Sequence, residues 1–281
     1  MIDKVLRSIE HVPAFPTTVI RVSEMLRDDD YSVAEVVNLI KCDQAIAANI
    51  LKMSNSAYLS PRQKIGTVRD AVVYLGRNNL IRVVQTAGIS RFFGKANRGY
   101  AATATELWEH SVAAALFSQM LSRKIMKRED EKLYLAALLH DVGKIVLGEF
   151  VHESFERIRE LVAGRGYSFL EAEDEVIGIN HAELGGKMAA RWNFPGEIVN
   201  ALSYHHRPDL LKKDDDETAW LVYLADQACL MMGIASGADG LAHRGLSEAM
   251  TKFGFYQKDL EMGMMQLADD LKCAKDLTGI V

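Results

Sequence analysis

The sequence predicts an all-α protein, and three observations support that prediction. Only five of the 281 residues are proline, which disrupts helices because it lacks a backbone N–H. The long apolar segments are rich in Leu, Ala, Val and Met, and alanine and leucine lose little entropy on entering a helix. A Ser or Thr followed three residues later by an acid, which marks a helix start, recurs along the chain. With 49% apolar residues, the chain has material for one large domain or two modest ones.

Short helices are predicted for the N-terminal part of the chain. Ser32 and Glu35 form a capping-box pattern, in which hydroxyl and carboxylate satisfy each other's orphan amides. Thr67 and Asp70 give a weaker version of this signal, and Gly76 indicates where that helix stops. Between these starts, helical spacing of apolar residues predicts one more helix. Its apolar positions are Ala45, Ile46, Ile50, Leu51 and Met53.

A small, polar, glycine-containing segment, "GKANRGYAATATE", divides the chain. We therefore predict two helical lobes, at 1–98 and 99–281. The second lobe holds longer helices, and Ser168 with Glu171 forms another capping box there. The predicted helices cover about 105–127, 130–141, 152–164, 168–178, 181–192, 195–206, 217–235 and 256–277.

Composition and charge argue against several classes of protein. A net charge of -5 and a pI near 5.9 disfavour a broad nucleic-acid-binding face, which needs clustered Lys and Arg. Cys42, Cys229 and Cys273 are far apart without a CxxC pair, which favours a reducing compartment over a disulfide framework. The N-terminus lacks a signal-peptide core, and the longest apolar run contains Asp226 and is too short to cross a bilayer. We expect a cytoplasmic protein that binds neither nucleic acid nor membrane, with its oligomeric state left open.

Two polar residues stand where apolar neighbours predict burial. Asp226 interrupts the run "WLVYLADQACLMM", and a buried carboxylate needs a cation, hydrogen-bond donors or a proton. His140 directly follows "KLYLAALL" and precedes Asp141. Taken singly, His140 is more typical of a hydrogen-bonded core residue than of a metal ligand.

Together with other residues of the second lobe, these two form a series of nitrogen and oxygen donors. Glu106 and His110 are four residues apart and therefore project from one face of a helix. His140 and Asp141 add adjacent donors. The series continues with His181, the adjacent pair His205 and His206, and Asp226. Imidazole and carboxylate ligands together suit Fe, Mn, Zn, Ni or Co, and the carboxylate oxygens could also bind Mg. The series predicts a metal site.

The order of these donors resembles that of the HD superfamily of metal-dependent phosphohydrolases: Glu-x3-His, His-Asp-x2-Lys, His, His-His and Asp. It is especially similar to the ligand set of HD-GYP proteins, so the resemblance implies two or more divalent ions, with Fe or Mn favoured. The first lobe resembles the HDOD family through "VPAFPTTVIRVSEML", "LIKCDQAIAANILKMSNSAY" and "TVRDAVVYLGRNNLIRVV". Since the two parts cover most of the chain, HDOD is the family that it resembles.

The resemblance implies an HD-type helical bundle around the metal site and hydrolysis of a phosphate ester or nucleotide. Asp141 would bridge two ions, and Lys144 would face a phosphate oxygen, which makes these two the expected catalytic residues. The other expected ligands are His110, His140 and Asp226 for one ion, and His181 with His205 or His206 for the second. Glu106 fits either a ligand or a carboxylate that orients His110. His206 requires a local distortion, because adjacent helical residues diverge by about 100°.

Two departures leave alternatives open. The "HHExxDGxGYP" segment of HD-GYP proteins is replaced by "HHRPDLLKKDDDE", which counts against hydrolysis of cyclic-di-GMP. Many HDOD proteins look as though they have lost HD metal ligands and act as regulatory modules, whereas this chain keeps the ligands. A smaller mismatch is Asp43-Gln44, where the HDOD family usually has Asp-Pro, and no consequence is inferred from it. The first alternative is therefore a non-catalytic module that binds a signalling protein and uses the metal structurally or as a sensor. The second is oxygenase-like chemistry at a di-iron centre, because the same ligands accept redox-active metals.

Overall fold

The computed structural model describes residues 1–56, 59–93, 100, 103–212, 217–234 and 246–273, and within these ranges it contains helices and no strand. The helices are α1 (Ile2–Ile9), α2 (Thr17–Met25), α3 (Val33–Lys41), α4 (Gln44–Ser54), α5 (Val68–Ile89), α6 (Ala104–Leu121), α7 (Glu131–Leu139), α8 (Val142–Arg165), α9 (Phe169–Ile177), α10 (His181–Arg191), α11 (Gly196–Tyr204), α12 (Glu217–Met231), α13 (Leu246–Lys252) and α14 (Gln257–Cys273). The all-α prediction is confirmed. None of these helices is long and apolar enough to cross a membrane.

Local sequence signals explain where many helices begin. Ser168 and Glu171 form the full capping box that begins α9, whereas Ser32 caps α3 by accepting a hydrogen bond from the Glu35 amide without the reciprocal bond. Gly76 was predicted to end its helix, and the helical backbone does stop there, since α5 consists of two helical segments that meet at a kink at Gly76. Its φ of 64° is a left-handed conformation that glycine adopts at little cost, and helical structure resumes after it.

The junction between α7 and α8 differs from the predicted helix end followed by a loop. His140 is the C-cap of α7 and Asp141 is the N-cap of α8, so one helix follows the other without a loop. Helix α8 therefore begins at Val142 rather than near residue 152. The corner between the two helices presents the imidazole and the carboxylate together to the interior.

One continuous apolar core joins the N-terminal helices to the helices that follow. Helix α5 packs against α7, where the Thr86 and Tyr134 hydroxyls lie 2.8 Å apart. Phe15 contacts Trp192 from the other part of the chain, with ring centroids 5.6 Å apart, and the Trp192 indole N–H donates to the Pro13 carbonyl. The predicted boundary between 98 and 99 lies outside the described residues and stays a prediction.

Candidate metal centre

Six helices and their ends bring seven of the eight predicted ligands into one buried cluster. Helices α6 and α12 contribute His110 and Asp226 from their interiors, and the remaining five residues lie at helix ends. His140 and Asp141 occupy the α7–α8 corner, His181 begins α10, and His205 and His206 follow α11. All are buried except His206, which is partly buried. Residues about a hundred positions apart in sequence therefore converge on one point.

The orientation of three histidine rings is fixed by backbone carbonyls. His110 Nδ1 lies 3.1 Å from the Ile234 oxygen, His140 Nδ1 2.7 Å from the Ala137 oxygen, and His205 Nδ1 2.8 Å from the Leu202 oxygen. A carbonyl oxygen only accepts hydrogen bonds, so Nδ1 carries the proton in each ring. With Nδ1 bonded in this way, Nε2 of each ring points into the cluster, which is the arrangement of a metal-binding histidine.

Glu173 fixes the fourth ring and was missed in the sequence. His181 donates to its Oε2 from Nδ1 at 2.7 Å and from the backbone amide at 2.9 Å, and the Tyr100 hydroxyl donates to its Oε1. The side chain of Glu173 is fully buried. A signal was present: Glu173 is four residues from both Phe169 and Ile177, so it lies on the apolar face of its helix.

The donor atoms form two groups that share Asp141. In the first, His140 Nε2 lies 3.2 Å from His110 Nε2 and 3.4 Å from Asp141 Oδ2, and Asp226 Oδ1 lies 3.1 Å from His110 Nε2. In the second, Asp141 Oδ1 lies 3.6 Å from His181 Nε2 and 3.7 Å from His205 Nε2. His206 Nε2 completes this group, 2.9 Å from His181 Nε2. Asp141 is therefore placed between two sets of imidazoles.

The contacts within the cluster fit divalent cations. With both Nδ1 atoms protonated, the lone pairs of His110 Nε2 and His140 Nε2 face each other and repel unless a cation or a proton lies between them. Two buried atoms, Asp141 Oδ1 and His205 Nε2, have no hydrogen-bond partner within the described part of the chain. Buried polar atoms without partners are uncommon, and both of these face the shared centre. The donor set is therefore suited to bind metal.

Burial and neighbouring charges keep three of the donors in the forms that bind metal. Burial lowers the pKa of His205, and it lowers that of His206 well below the usual range, so both rings are neutral at pH 7. Burial opposes the ionisation of Asp141, but His140 and Lys144 outweigh it and hold the pKa of this carboxyl well below its usual range. Metal ligands must be deprotonated, and His205, His206 and Asp141 meet that requirement. Burial lowers the pKa of His140, but Asp141 and Asp226 outweigh it and raise that pKa, so metal binding there would displace a proton.

Lys144 contacts the shared carboxylate directly. Its Nζ donates to Asp141 Oδ2 at 2.6 Å, one helical turn after Asp141 in α8, and it lies 5.6 Å from the centre of the Tyr100 ring. Both charged side chains are buried. The ammonium therefore stands at the edge of the cluster, as the sequence led us to expect, and its catalytic role stays a prediction.

Glu106 does not join the cluster, in contrast to the prediction. It is exposed, and its Oε2 accepts a hydrogen bond from the Thr103 amide at 2.6 Å, while its own amide donates to Thr103 Oγ1. This capping box begins α6. The carboxylate satisfies an orphan amide of the helix terminus, and the Thr-x-x-Glu pattern in "TATE" could have indicated this.

The distortion that His206 requires is present. Helix α11 ends at Tyr204, so His205 and His206 lie in the turn that follows rather than in regular helix. Their ring centroids are 4.1 Å apart. Both rings therefore reach the second donor group.

The described helices direct five imidazoles and two carboxylates at one buried point. The fold and the site therefore define an all-α protein with residues suited to bind metal. The family model of the HDOD domain matches residues 12–208. The chain belongs to the HDOD domain family. The match extends across both predicted lobes.

Comparison with other proteins supports the fold over nearly the whole chain. An HDOD domain protein of unknown function from Geobacter sulfurreducens is 24% identical, with a TM-score of 0.77 over 99% of this chain and 96% of that one. A protein from Shewanella amazonensis SB2B, described as a candidate phosphohydrolase, is 21% identical, with a TM-score of 0.73 over 98% and 97%. An uncharacterized protein from Treponema pallidum (strain Nichols) is 24% identical over 202 residues, 70% of this chain and 38% of that protein. The chain spans well under half the length of the curated relatives that it matches.

Proposed function

We propose that this HDOD protein is a metal-dependent phosphohydrolase that acts on a phosphate ester or nucleotide in cytoplasmic signal transduction. The observation that carries the proposal is the position of Asp141, a buried carboxylate between two imidazole groups with the ammonium of Lys144 in contact. The description of the Shewanella amazonensis protein as a candidate phosphohydrolase supports the same reaction class.

The positions of the donor atoms indicate which residues would bind each metal ion. One ion would be held by His110, His140, Asp141 and Asp226, and a second by Asp141, His181, His205 and His206. When bound, such ions lower the pKa of a coordinated water and polarise a phosphoryl oxygen. Fe or Mn is favoured, and Zn, Ni, Co or Mg would also fit the donors.

The chain itself would orient and neutralise the substrate. Because Lys144 Nζ is 2.6 Å from Asp141 Oδ2, a phosphate oxygen beside Asp141 would be within reach of the same ammonium, which stabilises negative charge that develops at phosphorus. The side chain of His206 is 17% exposed, against 3% or less for the other ligands. Solvent and substrate would therefore approach the centre from the side of His206.

The test combines metal analysis with a substrate screen. We expect the purified protein to contain metal, and the Mn- or Fe-loaded protein to hydrolyse at least one phosphomonoester, phosphodiester or cyclic nucleotide. Asp141→Asn and His205→Ala should lose both metal and activity while their circular dichroism is unchanged. Asp209→Asn, which alters a carboxylate in an exposed surface pair with Arg207, is the matched control and should retain both.

The outcomes separate the proposal from its alternatives. If no metal co-purifies and none can be loaded, the metal centre itself is refuted. If metal binds without turnover of any phosphate ester, the protein is a regulatory module, and the burial of the donors favours this second candidate. Oxygen consumption by the iron-loaded protein would indicate oxygenase chemistry instead.

A further inference from the structure

A cleft of about 200 Å³ lies between the N-terminal helices and the helices that follow, away from the metal centre. It is lined by residues of α2, α5 and α7, by Phe15, and by the segment that connects α10 to α11. None of the metal-binding residues lines it. The cleft is therefore a feature of the lobe interface that the proposed hydrolysis does not use.

Two buried polar side chains that line this cleft each have one atom without a hydrogen-bond partner in the described part of the chain. Ser23 is 8% exposed and Gln85 is 3% exposed, and Ser23 Oγ and Gln85 Oε1 have no hydrogen-bond partner among the residues that the structure describes. Burying an unpaired hydroxyl or amide is unfavourable, so such groups persist where something outside the chain satisfies them. The two atoms offer complementary chemistry, because the hydroxyl can donate while the amide oxygen only accepts.

Aromatic rings form another wall of the cleft. The ring centroids of Phe15 and Phe194 are 4.8 Å apart, and those of Trp192 and Phe194 are 6.0 Å apart. The other lining residues are apolar (Val19, Ile20, Leu135, Pro195 and Ile198), basic (Arg27 and Lys132), acidic (Glu24 and Glu131) or amide-bearing (Asn193). An aromatic wall beside polar groups that can fix a ligand's orientation is typical of a small-molecule site.

We propose that this cleft binds a nucleobase-type ligand, a small planar heteroaromatic ring with an N–H donor beside an acceptor. The ring N–H would donate to Gln85 Oε1, the Ser23 hydroxyl would donate to the ring acceptor, and the face of the base would pack on the aromatic wall. At about 200 Å³, the cleft is smaller than the roughly 300–1,000 Å³ of drug-sized sites, which suits a single base.

The test titrates adenosine, guanosine, cytidine and uridine into the full-length protein by calorimetry, with ribose as the probe that lacks a base. We expect saturable binding of at least one nucleoside and none of ribose, together with a change in Trp192 fluorescence. Gln85→Leu and Ser23→Ala should each weaken binding by about tenfold, the effect of losing one hydrogen bond. Neither should lower the thermal midpoint of the free protein, because neither removes a bond within the described chain.

Two control variants test whether nucleoside binding depends on this cleft. Ser56→Ala removes another buried hydroxyl without a partner in the described chain, one that does not line the cleft, and it should bind the nucleoside normally. Asp141→Asn should also bind it normally, whether or not the phosphohydrolase proposal holds. The inference is overturned if no nucleoside binds at concentrations up to about 10 mM, if Gln85→Leu and Ser23→Ala bind as tightly as the unmodified protein, or if Asp141→Asn abolishes binding.

Discussion

Glu173 controls the orientation of His181, one histidine of the proposed metal centre, without contributing an atom to the donor groups. Its Oε2 accepts two hydrogen bonds from His181, and Tyr100 donates to its other oxygen. This partner fixes the tautomer of the ring and raises its basicity as a ligand. Metal affinity should therefore depend on a residue that donates no ligand atom.

We predict that Glu173→Gln lowers metal affinity by about 10- to 100-fold, the usual cost of losing an outer-shell partner. The measurement is a competition titration against a chromophoric chelator. Glu171→Gln, two residues away at the exposed start of α9, should leave metal affinity unchanged. Equal affinities in the Glu173 variant and the unmodified protein would refute this role.

Lys144 and Asp141 form a buried ion pair, so each side chain neutralises the other. The side chains are 7% and 1% exposed. We predict that Lys144→Met lowers the free energy of unfolding by about 3–5 kcal/mol in chelator, because an uncompensated carboxylate stays buried. Added metal should reduce this loss, since the cation replaces the ammonium as the countercharge.

The measurement is urea unfolding with chelator and with added Mn. Lys187→Met, which breaks an exposed pair with Glu183 at 3.1 Å, should change stability by less than about 1 kcal/mol in both conditions. If Lys144→Met loses the same free energy of unfolding with and without metal, Asp141 is not a ligand.

At the scale of helices, the metal centre depends on how closely α8 approaches α10. A Cβ on Gly143 would lie 2.0 Å from the His181 carbonyl oxygen and 2.8 Å from the Gly185 amide nitrogen. Both are backbone atoms, so the two helices would have to separate. Asp141 and His181 lie at the starts of these helices, and their separation would displace ligands of the second donor group.

We predict that Gly143→Ala destabilises the protein by at least about 3 kcal/mol and weakens metal binding. A Cβ on Gly164, in the same helix, would meet no heavy atom of the described chain within 4 Å beyond its own helix backbone, and Gly164→Ala should stabilise by about 0.5–1 kcal/mol through helix propensity. Chemical unfolding and chelator competition on the two variants give both quantities. A Gly143 variant as stable as the Gly164 variant would contradict the predicted contact.

The helix boundaries show which features of the fold could be predicted from the sequence and which could not. Starts such as Ser168 were recognised because a capping box is local chemistry. The early start of α8 was not recognised. The two helices meet at the "HD" corner without a loop, and only the structure shows that α8 begins immediately after it. Helix α13 gave no clear signal before the structure showed it.

The ligand residues were predicted from their order along the chain, and their convergence depends on tertiary packing that the sequence does not display. Glu106 shows the limit of this approach. Spacing of i and i+4 places Glu106 and His110 on one helical face, but it cannot distinguish a ligand from a helix cap. The unpaired atoms of Ser23 and Gln85 became visible only once α2 and α5 had been packed together.

At the scale of the whole molecule, the continuous core implies that the two predicted lobes unfold together. Phe15 is 4% exposed, and its ring packs on Phe92 from the N-terminal part and on Trp192 and Phe194 from the second lobe. A residue that contacts both parts couples their stabilities, because neither can unfold without exposing it. Unfolding should therefore be a single transition.

We predict that Phe15→Ala lowers the free energy of unfolding by about 3–5 kcal/mol and keeps one transition, with far-ultraviolet circular dichroism and tryptophan fluorescence coincident in urea. Met262→Ala, at a side chain that is 58% exposed on α14, should change stability by less than about 0.5 kcal/mol. Two separate transitions in the unmodified protein would show that the lobes are independent. Because Phe15 also lines the cleft, its truncation should weaken nucleoside binding as well, so a ligand held there would stabilise both lobes at once by mass action.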